Sequence, residues 1–93
     1  MSSLNENLRS VVASDEVFRR DNNMTAAAME ETLLGVQEAV VKMWADCRHG
    51  TRETMGRRAA NLIYGALLAV KSAGIDDIDS ALKKRLEEIN STP

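Results

Sequence analysis

Between Leu62 and Val70 the chain runs through nine residues in which the hydroxyl of Tyr64 is the one polar side-chain group. Ala and Leu dominate there, and Phe18, Trp44 and Tyr64 are the only aromatics in the whole sequence, so the segment reads as helix rather than strand. A helix that is apolar over most of its circumference has to be covered over most of it. A chain of 93 residues has room for a single core and leaves a large share of its surface wet. Association with another chain is therefore expected from the outset.

Apolar spacings of three and four organise the remainder. Leu4, Leu8, Val11, Val12 and Phe18 predict a first helix over about 4–19, closed by the polar cluster Arg19, Arg20, Asp21, Asn22 and Asn23. A second helix over about 24–47 carries the stripe Met29, Leu33, Val36, Val40, Met43 and Trp44; Leu34 and Val41 widen it, and Glu31, Glu38 and Lys42 mark the wetter side. Gly50 is placed to end this helix in the left-handed conformation, and Thr51 to cap the next. That third helix, over about 52–73, is stopped by Gly74, and its Gly65, Ala66 and Ala69 are small enough for a neighbour to approach closely. Asp76 or Asp77 caps a fourth, over about 77–90, with the face Ile78, Leu82, Leu86 and Ile89 and with Ile75 folding back onto its first turn. Ser91, Thr92 and Pro93 read as a frayed end. Short connections favour antiparallel neighbours, so the expected fold is all-α: one domain over 1–93, a four-helix up-and-down bundle with two long central helices.

Composition excludes several classes of function. A net charge of −2 and a pI near 5.3 argue against a dedicated nucleic-acid binder, which needs a basic excess. One cysteine, Cys47, rules out an internal disulfide framework and a cysteine-rich zinc site; it reads as a thiol packing as a small hydrophobe. The polar N-terminus lacks the basic start and apolar stretch of a secretory leader, and no apolar run approaches the roughly 20 residues that span a bilayer. The chain reads as cytoplasmic, with no membrane association.

Few constellations could carry chemistry. Cys47 and His49 stand two apart, which on a helix turns them about 200° from each other, so they do not form a nucleophile–base pair. Arg48, His49, Arg52, Arg57 and Arg58 surround the turn between the second and third helices, where guanidinium groups and free backbone N–H groups suit a phosphate; the plainer reading is a solvated charged turn paired with Asp46 and Glu53. A magnesium site on a helical bundle needs carboxylates facing one another from two helices. Glu30, Glu31 and Glu38 lie on the second helix, but the third offers only Glu53, in its first turn. Half of such a site is missing.

The run Glu30-Glu31-Thr32-Leu33-Leu34-Gly35-Val36-Gln37-Glu38-Ala39, followed by Gly50-Thr51-Arg52-Glu53, Ala60-Asn61-Leu62-Ile63-Tyr64, Gly74-Ile75-Asp76-Asp77 and Leu82-Lys83-Lys84-Arg85-Leu86-Glu87, resembles the all-α nucleoside triphosphate pyrophosphatases. That superfamily includes MazG-like proteins, phosphoribosyl-ATP pyrophosphatase and dimeric dUTPases, and the resemblance covers roughly residues 27–90. It implies an ExxE pair at Glu31 and Leu34 and an ExxD pair at Arg58 and Asn61, which in the family hold the magnesium that grips a triphosphate. Only Glu31 keeps its acid. The resemblance thus implies the scaffold and its dimers or tetramers, with the metal lost.

The function expected on these grounds is that of a non-catalytic, oligomeric helical protein that binds and modulates a protein partner. It has no catalytic residues, no metal and no cofactor of its own. The alternative is a nucleotide-binding protein or a nucleoside triphosphate pyrophosphohydrolase of the MazG-like type, with Glu30, Glu31, Glu38, Arg57, Arg58 and Asn61 lining the pocket and magnesium as cofactor.

Overall fold

The computed structural model describes residues 3–26 and 28–91. Four helices follow one another: α1 (Leu4–Asp21), α2 (Met29–Asp46), α3 (Arg52–Ser72) and α4 (Ile78–Ser91). There is no strand among the described residues, and the all-α reading stands. Thr92 and Pro93, read as part of a frayed end, lie outside the described residues, while Ser91 belongs to α4.

Local chemistry sets the helix ends. Ser3 caps α1 by accepting from the Glu6 amide, and Thr51 caps α3 by accepting from the Thr54 amide. α1 runs two residues past the expected end and closes on Asn23, whose φ of 53° lies in the left-handed region. The amides of Met24 and Asn23 donate back to the Arg19 and Arg20 carbonyls, the paired closure typical of such ends. α3 closes in the same way at Gly74 (φ 76°), with Ile75 and Gly74 donating to Val70 and Lys71.

Two expectations are corrected here. α2 begins at Met29, not near residue 24; just before it, Arg19 of α1 holds the connecting segment by donating to the Thr25 carbonyl. Residues 24–26 are non-helical, and Ala27 lies outside the described residues. Gly50, expected to end α2 in the left-handed conformation, keeps a negative φ; its amide donates to the Asp46 carbonyl at 2.6 Å. A Cβ there would stand 2.7 Å from that same oxygen, so the site demands glycine through crowding rather than through handedness.

α2 and α3 form an antiparallel hairpin. Asp46 meets Arg58 near the turn, Val36 meets Gly65 midway, and Thr32 and Leu68 line one cleft near the open end. Gly65 permits this approach, since a Cβ would lie 3.2 Å from the Val36 methyl. The residues of α2 turned inward are Met29, Thr32, Val36, Ala39, Met43 and Asp46, alternating at three and four. The bulkier Leu33, Val40 and Trp44, expected in the buried stripe, face outward. Thr32 and Ala39, the two α2 residues buried most deeply, are short, and short side chains let two helices come close.

α1 lies against the C-terminal half of α3, with Leu8 and Val12 facing Lys71 and Ile75 across a shallow hollow. Leu8, Thr32, Ala39 and Leu67 form the buried centre. α4 packs on α1 rather than on the hairpin. Its start is fixed by an exchange of caps: Asn5 Oδ1 accepts from the amides of Ile78 and Asp79, while the Asp79 carboxylate accepts from the amides of Leu4 and Asn5. Two helix N-termini with partial positive charge are thereby brought together and satisfied by carboxylate and amide oxygens.

Beyond these caps the apolar face of α4 is uncovered, with Leu82, Leu86 and Ile89 all exposed. The chain exposes 7266 Å², where a compact monomer of 10.2 kDa exposes about 5,300 Å². Its radius of gyration is 15.1 Å, against about 12 Å for a compact domain of this length. Among the described residues no helix is long and apolar enough to cross a membrane.

Candidate functional site

Where α1, α2 and α3 converge, Arg19, Glu31, Thr32, Gly35, Asn61, Tyr64, Gly65 and Leu68 line a cleft of about 320 Å³. Gly35 and Gly65 open it, because neither helix projects a side chain at those points. Arg19 dominates its polar wall. Its side chain is only 14% exposed, and its three nitrogens are all engaged: Nε donates to Asp15 at 2.9 Å, Nη1 to the Thr25 carbonyl at 2.9 Å and Nη2 to Glu31 at 3.1 Å. The hydrogen bond to Asp15 and then that to Glu31 raise its pKa above an already high ordinary value. The planar guanidinium fork allows this three-way hold, which an ammonium could not reproduce.

The candidate residues divide among three places. Glu31 and Asn61 share the cleft. Arg58 is turned toward the hairpin end, where Nε donates to Asp46 at 2.8 Å, and with Arg57, Glu53 and Thr54 it lines a separate hollow at the start of α3. Glu38 stands two turns along α2 from Glu31, outside the cleft, in a shallow groove with Leu34, Gln37, Val41 and Lys42. Arg19 and Tyr64 line the cleft, with Asp15 holding Arg19 from outside it, and were missed by sequence reasoning. The one signal for Arg19 was its spacing of four from Asp15, which suits an ion pair on a helix.

The cleft contains neither cysteine nor histidine, and its single carboxylate already carries a guanidinium. A nucleophile with an adjacent base is absent from it. No group of three acidic, histidine or cysteine side chains able to hold a metal ion occurs among the described residues. Leu34 and Arg58, which occupy positions where the resemblance implies acids, supply no oxygen, and Asn61 offers an uncharged carbonyl. Cys47, expected to pack as a small hydrophobe, is exposed at the end of α2. None of the protein-family models, curated proteins or solved structures compared with the chain matches it.

Proposed function

We propose that this chain is a non-catalytic, oligomeric helical protein that binds and modulates a protein partner, on a scaffold like that of the MazG-like pyrophosphatases with its metal ligands lost. The observation that carries the reading is the amount of uncovered apolar surface, from Trp44 at 79% exposure and Val41 at 60% to the whole face of α4. Apolar surface on this scale marks association sites. The up-and-down bundle of that scaffold is then completed between chains. The Arg19–Glu31 pair supports the loss of metal chemistry, since the one remaining acid is neutralised from within.

The test is titration of the purified protein with magnesium and a panel of nucleoside triphosphates, with pyrophosphate release followed on the same samples. The expected result is neither magnesium binding nor release. Turnover sinks the reading. A second reading, nucleotide binding without hydrolysis, is favoured by the meeting of Glu31, Asn61 and Tyr64 in one cleft. Heat of binding for a triphosphate without release of pyrophosphate would select it.

A further inference from the structure

Each helix of the hairpin carries a second stripe, one residue on from the first. On α2 it is Leu33, Gln37, Val40 and Trp44; on α3 it is Gly56, Ala59, Ile63, Ala66 and Val70. Both keep the alternation of three and four that lets a helix run along a neighbour. A step of one residue turns about 100° around a helix. Because α2 and α3 are antiparallel, that step carries both stripes to the same side of the hairpin, opposite the Arg19 cleft. Glu30, one residue on from Met29, stands at the outer end of the α2 stripe; beyond it neither stripe contains a charge. Leu33, Val40, Trp44 and Ile63 stand 51%, 49%, 79% and 54% exposed on it.

The two stripes differ in size. That of α2 is bulky, and that of α3 is small at Gly56, Ala59 and Ala66. The pairs Asp46 with Arg58 and Val36 with Gly65 fix the relative heights of the helices. On that scale Trp44 stands level with Gly56 and Ala59, Val40 with Ile63, Gln37 with Ala66, and Leu33 with Val70.

We propose that a second copy of this chain covers this side, related by a two-fold axis parallel to the helices, so that two α2–α3 hairpins form one four-helix core. The inference rests on the reading above that the uncovered apolar surface serves association. Such an axis preserves height and lays α2 of one protomer antiparallel on α3 of the other. Trp44 then fills the space left by Gly56 of the partner subunit and Ala59 of the partner subunit, and the bulky stripe meets the small one twice. An axis across the helices would instead set the bulky stripe on itself and leave the small ones facing each other over a void.

The area agrees. The chain's surface exceeds that of a compact monomer by about 2,000 Å². That excess is larger than the roughly 800 Å² per partner that a standard-size interface covers.

Sedimentation equilibrium of the full chain, with emission of its single tryptophan followed on dilution, tests the proposal. The wild-type chain is expected to be a dimer whose Trp44 emission shifts to the red as it dissociates. Val40→Glu puts an unpaired charge into the interface and should raise the dissociation constant at least about 30-fold, the scale of a hot-spot residue. Gly56→Leu separates association from folding. A Cβ at Gly56 meets nothing within 4 Å in the single chain, so this variant should retain or gain helicity by circular dichroism and still be monomeric. Leu86→Glu, on α4, should leave the dimer intact. A dimer that survives Val40→Glu and Gly56→Leu but dissolves with Leu86→Glu overturns the proposed interface and leaves association standing. A chain that is monomeric throughout overturns the self-partner altogether. The absence of catalysis is judged separately by pyrophosphate release, which none of these outcomes touches.

Discussion

Arg19 is the residue on which the junction of α1, α2 and α3 depends. Arg19→Ala removes three hydrogen bonds and leaves the Asp15 and Glu31 carboxylates without their common cation. Asp15 is mostly buried and Glu31 about half exposed, so the expected loss is about 2–3 kcal/mol, below that of a fully buried pair. The urea midpoint reads it directly, and Arg19→Lys should recover only part because an ammonium's donors radiate from one nitrogen and cannot span acceptors held by three separate guanidinium nitrogens. Asn23 makes a smaller demand. Its left-handed backbone suits Asn and Gly, so Asn23→Val should destabilise by about 1–2 kcal/mol without altering the cleft. A loss near zero in the same urea titration would show that the turn does not constrain the fold.

At the scale of the helices, two glycines separate packing from propensity. A side chain at Gly35 would meet nothing within 4 Å, and Gly35→Ala should stabilise by about 1 kcal/mol through helix propensity alone. Gly65 lies against Val36, and Gly65→Leu should destabilise by about 1–3 kcal/mol through overpacking of the hairpin. Thermal unfolding of both variants should therefore move in opposite directions. The same contrast explains what the sequence reveals. Helix positions were legible because spacings of three and four and the caps Thr51 and Asp77 are local signals. The start of α2 was not, because the segment just before it is held by a guanidinium arriving from α1. Nor was the inner face of α2, where Leu33 and Val40 look more buried than Thr32 and Ala39 to any reading by hydrophobicity. Of the candidate cleft, Glu31 and Asn61 could be found, whereas Arg19 and Tyr64 join them only through tertiary packing.

Across the whole molecule, the caps between α1 and α4 tie the two ends of the fold together. Asp77 accepts from the Asn5 amide group and from the amide and hydroxyl of Ser80, and those hydrogen bonds, Asn5 first, hold its pKa down to about 2. An unfolded Asp titrates near about 3.9. The unfolded chain therefore takes up the proton first as pH falls, so this carboxylate stabilises the fold fully above about pH 4 and progressively less on the way to pH 2. Protection against amide exchange at Ile78 to Ser80, taken relative to the intrinsic rate at each pH, is expected to fall across that window, and Asp77→Asn should flatten its pH dependence. An exchange profile unchanged by Asp77→Asn would show that the cap does not govern the start of α4.

The exchange of caps at Asn5 also has a mechanical meaning. α4 is anchored at one end, and its 14 residues reach about 21 Å from that anchor. It is geometrically a lever with its fulcrum at the meeting of two helix starts. A tilt of about 10° there displaces Ile89 by about 3 Å, on the rise per residue of an α-helix. The reach of the lever is set by residues at its pivot, far from the apolar tip that it carries.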